Sequence, residues 1–259
     1  MEFGMPTLVE CRDLEECCAL CSRLKLRFVE INMSFPQYQP EKMGEQYLRG
    51  LIDKYGVYFT VHMDESMNPF DFNERIAQAY TQNALDVICL ARKLNIPRLN
   101  LHLLRGVYVT LPGKRIYLNE VYQEEYLRKV RRFGEICEEA LEGSNTLIVL
   151  ENTDDGFDGF HQLAADCLLQ FAHFGLTLDV GHARMKQDKD IPFFDARENR
   201  LKHMHIHNVT KGPHMPLDEG EVDIEACIER ARRTKSTAVI EVKTIEGLER
   251  SVKWLDKHR

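Results

Sequence analysis

No apolar run in this sequence approaches the roughly 20 residues that a membrane-spanning helix needs. The start, Met1-Glu2-Phe3-Gly4-Met5-Pro6, lacks the basic-then-apolar pattern of a secretory signal. There is no Gly-x-Ser-x-Gly, no P-loop and no Gly-x-Gly-x-x-Gly context, so serine-esterase, nucleotide-phosphate and dinucleotide chemistry are unsupported. Low-complexity tracts, short tandem repeats and a linker are missing too, which favours one domain over 1–259. Basic charge is in deficit: the net charge of −7 disfavours broad binding to nucleic acid or a membrane surface. The eight cysteines are scattered except at Cys17, Cys18 and Cys21. Cys18 and Cys21 form a C-x-x-C with no second pair to complete a zinc site, so packing on a helix is expected. Reduced thiols and the absent signal together predict a cytoplasmic protein.

What is present is a globular-enzyme composition, 44% hydrophobic and 29% charged over 259 residues. That is enough chain for one (β/α)₈ barrel of roughly 250 residues. Six apolar, strand-like runs each end on a metal-ligand side chain. They end at His62, His102, Glu151, Asp179, His205 and Glu241. Helical patterns lie between most of them. The clearest is Ile76, Tyr80, Ala84, Val87, Ala91 and Leu94, stopped by Asn95 and Pro97. Others are expected around 14–24, 41–54, 126–141, 158–173, 222–232 and 245–257, and Phe28-Val29-Glu30-Ile31-Asn32 reads as a further strand. The helix before the 201–206 strand is the weakest pattern, broken by Pro192 and dense charge. Residues 104–118, with Gly106, Pro112 and Gly113, read as an extended loop suited to a lid or substrate contact. Parallel strands whose C-terminal ends meet at one face predict an α/β fold, a single (β/α)₈ TIM barrel, with its active site at that face.

Glu151, Asp179, His205 and Glu241 form the sharpest group, four ligands at four strand ends able to make one divalent site. A carboxylate-rich set suits Zn²⁺ or Mn²⁺ and keeps the ion hard enough for a sugar's oxygens. A Glu beside such a site can take a proton from carbon next to a carbonyl. His62 and His102 offer a second metal position sharing Glu151, or else substrate hydrogen bonds. His182, in Asp179-Val180-Gly181-His182, is placed to face the same cavity, where Gly181 permits a sharp turn. His214 lines that cavity or completes another metal site, and Lys211 is a candidate cation for an oxyanion or phosphate. His203 and His207 alternate with His205, with His207 past the strand end holding a loop. Arg105 reads as a surface cation, Asp154-Asp155 as a solvated turn, and His161, His173 and His258 have no ligand-like context.

At these residues the sequence resembles the xylose-isomerase-like barrel superfamily, whose members include sugar isomerases and epimerases, inosose dehydratases and endonuclease IV. The resemblance covers nearly the whole chain. It is carried by Val61-His62, Leu101-His102, Leu150-Glu151-Asn152, Leu178-Asp179-Val180-Gly181-His182, His203-Met204-His205-Ile206-His207-Asn208, Asp218-Glu219-Gly220-Glu221-Val222-Asp223 and Val239-Ile240-Glu241. The resemblance to the epimerases implies metal ligation by Glu151, Asp179, His205 and Glu241, proton exchange by the two Glu, and substrate binding by His182. Those enzymes often carry Arg where Lys211 stands. The resemblance to endonuclease IV implies four further ligands, His62, His102, His182 and His214. Its third site also needs an Asp two residues before the last His, where this chain has Gly212. Met63-Asp64-Glu65-Ser66 follows His62, an acidic stretch that would repel phosphates and has no aromatic wedge. The expected function is therefore a divalent-metal-dependent sugar or sugar-phosphate isomerase or epimerase. An abasic-site endonuclease is the runner-up, and a non-catalytic binding protein on the same barrel the third reading. The expected partner is a small-molecule sugar or sugar phosphate, with no nucleic acid and no membrane, and a homo-oligomer is compatible.

Overall fold

Strands covered by helices on one side and a packed barrel interior on the other read as continuous apolar runs, and those runs are the strands here. The structure, a computed structural model, describes residues 1–153 and 156–258; the Asp154-Asp155 pair expected as a turn lies outside the described residues. The strands are β1 (Phe3–Pro6), β2 (Phe28–Asn32), β3 (Tyr58–His62), β4 (Arg98–His102), β5 (Tyr108–Leu111), β6 (Lys114–Tyr117), β7 (Leu147–Glu151), β8 (Phe174–Asp179), β9 (Leu201–Ile206) and β10 (Thr237–Ile240). All but β5 and β6 close a parallel barrel in the order β1-β10-β9-β8-β7-β4-β3-β2. This is one (β/α)₈ TIM barrel.

The helices are α1 (Leu14–Arg23), α2 (Glu45–Tyr55), α3 (Glu74–Leu94), α4 (Leu118–Val121), α5 (Gln123–Leu141), α6 (Phe160–Leu168), α7 (Val180–Met185), α8 (Ile191–Asp195), α9 (Ile224–Thr234) and α10 (Ile245–His258). Their ends follow local chemistry. Asp13, Asn73 and Asp223 accept backbone N–H groups at the starts of α1, α3 and α9. Asn95 ends α3 in the left-handed region at φ 54°. The 158–173 helix is shorter than its pattern, and the weak segment before β9 breaks into α7, α8 and a 3₁₀ turn. Cys17, Cys18 and Cys21 are buried on α1, and all eight cysteines are free thiols.

Two features depart from the sequence expectations. β1 was not anticipated, because four residues containing Gly4 and Pro6 carry a weak strand signal. Gly4 is needed there: a Cβ would lie 2.4 Å from the Phe28 ring, which fills the floor of the barrel. Residues 108–117 are a β-hairpin and not an extended loop, with β5 and β6 antiparallel across Pro112-Gly113. Gly113, at φ 82°, supplies the positive φ that such a turn demands. Arg105, before the hairpin, pairs with Asp158 at 2.9 Å and faces the Tyr117 ring.

Candidate metal centre

The C-terminal ends of β7, β8, β9 and β10 bring Glu151, Asp179, His205 and Glu241 together. One ligand atom from each lies within 4.8 Å of the others, and all four residues are buried. His205 Nδ1 is 2.9 Å from Glu151 Oε1, 3.4 Å from Glu241 Oε2 and 4.0 Å from Asp179 Oδ2. Asn152, just past β7, locks the end of β8: its Oδ1 accepts the Asp179 N–H at 2.8 Å and its Nδ2 donates to the Asp179 carbonyl at 2.9 Å. Glu241 Oε2 is buried without a hydrogen-bond partner. Three buried carboxylates this close cost of order several kcal/mol each unless a cation compensates. The donor set and the orphaned oxygen both fit a divalent ion.

Electrostatics without metal point the same way. Burial alone would raise the Glu151 and Glu241 pKa values. His205 and His102 outweigh it at Glu151, and Lys243, His205 and His214 at Glu241, so both stay well below the usual carboxylate range. Burial alone would lower the His205 pKa, but Glu151, Glu241 and Glu30 hold it well above its ordinary value. The cluster gathers positive charge wherever it can.

Glu30, absent from the sequence-based site, sits beneath this cluster. Its Oε1 is 2.8 Å from His205 Nε2, an ionic contact without hydrogen-bond alignment, and its Oε2 is 3.0 Å from His203 Nε2. Thr60 Oγ1 donates to Glu30 Oε2 at 2.9 Å. Burial opposes ionisation of Glu30, but His205 and His203 hold its pKa far below normal. Its signal was legible: one carboxylate inside the buried run Phe28-Val29-Glu30-Ile31. A carboxylate behind a ligand histidine fixes ring orientation and leaves the other nitrogen for a metal.

His62 and His102 flank Glu151 on the other side. Their Nε2 atoms are 3.1 Å apart, and they lie 3.4 and 3.0 Å from Glu151 Oε2. His62 Nδ1 is 2.8 Å from the Met63 carbonyl, which can only accept, so the neutral ring presents its Nε2 lone pair to this group. Burial lowers the His62 pKa, but Glu151 and Glu30 carry it up to about 9. Asn100 also donates to Glu151 Oε2.

The remaining candidates divide. His182 and His214 join the cavity edge with His207, one ring nitrogen of each lying within 4.8 Å of the others. Gly181 does not make a sharp turn; it is helical, and its missing Cβ makes room for His207, whose Cε1 would lie 1.9 Å from that atom. Lys211 is exposed and has no ion pair with the centre among the described residues. The cation there is Lys243, whose Nζ is 2.7 Å from Glu241 Oε1. His173 pairs with Glu138 and His161 is buried among Phe157 and Phe160, and neither joins a group of candidate ligands among the described residues.

Comparison with known proteins agrees with this architecture. The family model described as xylose isomerase-like TIM barrel matches residues 18–258. No curated protein matches the sequence. Among solved structures, a D-tagatose 3-epimerase-like protein superposes with a TM-score of 0.77 at 23% identity, covering 100% of this chain and 97% of the other. A 3-keto-D-glucoside 4-epimerase from E. coli gives 0.76 at 14% identity, covering 100% and 99%. A probable 3-DHS dehydratase from Bacillus anthracis gives 0.73 at 14% identity, covering 99% of each chain. At these identities the likeness establishes the fold.

Proposed function

Because the chain belongs to the xylose isomerase-like TIM barrel family, we propose that it is a divalent-metal-dependent sugar or sugar-phosphate isomerase or epimerase. The observation that carries this reading is the buried group Glu151, Asp179, His205 and Glu241, with no hydrogen bond to Glu241 Oε2. Those four residues would hold Zn²⁺ or Mn²⁺, which when bound acts as a Lewis acid toward a carbonyl and its neighbouring hydroxyl and makes the intervening C–H more acidic. The chain's own residues do the rest. Glu151 and Glu241 reach the centre from β7 and β10, strands separated by β8 and β9, so they approach a bound sugar from two directions. Both are held ionised, as a general base must be. One takes the proton from carbon next to the carbonyl, leaving an enediolate. The other, ionised in the free protein, must first take a proton from solvent, which it then delivers to the opposite face for epimerisation; for isomerisation the proton goes to the neighbouring carbon. His182 and His214 line the same mouth and orient substrate oxygens, and Lys243, rather than the exposed Lys211, supplies the positive charge.

The test is incubation of the metal-loaded protein with a panel of ketoses and ketose phosphates in D₂O. Deuterium should enter one carbon next to the carbonyl, and Glu241→Gln should abolish that exchange while the sugar still binds. A sugar that is turned over with neither deuterium uptake nor a substrate-deuterium isotope effect would remove the enediolate route. Turnover of no member of the panel, with metal and sugar bound, would favour a binding protein.

A further inference from the structure

We propose that the β5–β6 hairpin is an arm through which two copies of this chain pair, outward face against outward face about a two-fold axis. Six of the twelve exposed large hydrophobic side chains among the described residues fall between 107 and 122: Val107, Tyr108, Val109, Leu111, Val121 and Tyr122. Exposed apolar residues scattered singly need no explanation, but half of them within one short stretch make a patch.

Strand pairing shows which face is bare. Side chains alternate across a strand, so Tyr108 and Thr110 share one face with Arg115 and Tyr117. Val109 and Leu111 share the other with Ile116 and Lys114. The first face is turned to the body of the protein. Tyr117 lies beside Phe160, with ring centroids 6.3 Å apart, and the Arg105 guanidinium is 5.1 Å from its ring. On the other face Val109 and Leu111 are 46% and 40% exposed, and Val107, hydrogen-bonded through its carbonyl to the Leu118 N–H, continues that face at 60%. An antiparallel hairpin packed on one side ordinarily turns polar residues outward. This one does the reverse. Thr110 and Arg115 lie on the inner face, and the outer face is valine, leucine and isoleucine with one charge, Lys114.

Charge identifies the occupant as a second copy. Lys114 stands at the tip, next to Gly113 in the turn. Glu120 and Glu124 stand at the root, in α4 and α5, exposed and without an ion pair among the described residues. Two hairpins packed antiparallel lay the tip of each beside the root of the other. A two-fold axis therefore sets Lys114 of each copy against the acidic root of its partner, and does so twice. Parallel packing would set lysine against lysine. The patch is complementary to itself: apolar along its length, basic at one end and acidic at the other. Val121 and Tyr122 extend its apolar part at the root. A two-stranded hairpin standing alone in water is marginally stable, so pairing also steadies the arm.

The experiment is sedimentation equilibrium of the full chain from about 1 μM to about 1 mM. It should show a monomer–dimer equilibrium with a Kd on the order of micromolar, because a patch this small lies at the low end of specific interfaces. Val109→Lys should leave the chain monomeric throughout, with an unchanged circular dichroism spectrum, since that side chain is exposed. If it misfolds, Leu111→Lys carries the same test. Lys114→Glu should weaken pairing about tenfold or more, as should Glu120→Lys with Glu124→Lys, and the three substitutions together should restore it. A wild-type chain still monomeric at the highest concentration, or a dimer that survives both Val109→Lys and Leu111→Lys, would overturn the proposal. So would assemblies that grow past two, because a two-fold face closes on itself. Loss of pairing on each charge reversal without recovery in the combination would refute the tip-to-root arrangement. The readout is mass, so its outcome is independent of the proposed function.

Discussion

Lys243 Nζ lies 2.7 Å from Glu241 Oε1, two residues along the chain from the carboxylate it neutralises. Burial would lower the Lys243 pKa, but Glu241 raises it, so the ammonium is charged beside the carboxylate that the proposed reaction would use. Removing a positioned charge of this kind costs on the order of 10²–10³ in kcat. Lys243→Met should show that loss in the deuterium-exchange assay, and exposed Lys211→Met should leave the rate unchanged. Equal effects of the two substitutions would place the functional cation elsewhere.

Glu30 should tune the metal without touching it. Glu30→Gln keeps the shape of the side chain but removes the charge behind His205, which should weaken metal affinity about 10–100-fold. His205→Ala, which removes a donor, should weaken it more. Competition titration against a fluorescent chelator gives both numbers. A Glu30→Gln protein with wild-type affinity would mean that Glu30 serves only to pair His203.

The barrel was legible because its strands are apolar runs that end abruptly on ligand side chains, as at Leu150-Glu151 and Leu178-Asp179. The same logic failed for β1. Four residues with a glycine and a proline carry no such run, and the reason for Gly4, the Phe28 ring against it, is a contact made 24 positions away in the chain. Alternation did place His203, His205 and His207 on one face. It could not say that Glu30 sits beneath two of them, since that pairing spans strands on different sides of β1 and β10. Lys211 and Lys243 were equally plausible by type. Only the path of the chain after β9 and β10 separates them.

Stripped of metal, the protein should lose stability as pH rises from about 6.5 to 9. His62 has a folded pKa of about 9 against an ordinary value of 6.5. A raised basic pKa gives stability that is fully present below the unfolded value and is lost as pH rises through the folded one. His205, His182 and His207 are shifted in the same direction. His161 and His214, pushed down to about 4, act only on the acid side, where the unfolded chain gains protons that the folded one refuses. Thermal unfolding in chelator should therefore show a midpoint lower by roughly 5–10 °C at pH 9 than at pH 6.5. Metal competes with those protons, so the gap between loaded and stripped protein should widen over the same range. A flat midpoint in chelator would mean that these histidines are neutral in the folded apoprotein.

Duplex DNA with an abasic site should be a poor substrate. Glu65 is exposed beside the His62 strand end, with Asp64 next to it, and both would meet phosphates with like charge. The histidines flanking the carboxylates are the features that would favour a hydrolase. Incubation of the zinc-loaded protein with an abasic duplex at low salt, where electrostatic binding is strongest, is the demanding condition. Efficient metal-dependent incision there would put the nuclease ahead of the isomerase.

Gly181 and His207 should be coupled energetically. In an unobstructed helix, Gly→Ala stabilises by up to about 1 kcal/mol. Here the new methyl would lie 1.9 Å from His207 Cε1. The ring has little room to move, because Asp179 and the His214 N–H hold its two nitrogens. Overpacking of this kind costs about 1–3 kcal/mol, so the clash outweighs the helical gain. Gly181→Ala alone should therefore destabilise the protein. In a His207→Ala background the ring is gone, and the same substitution should become neutral or stabilising. A double-mutant cycle by denaturant unfolding, run in chelator so that metal binding does not enter, measures the reversal. Additive effects in that cycle would show that His207 does not rest on Gly181.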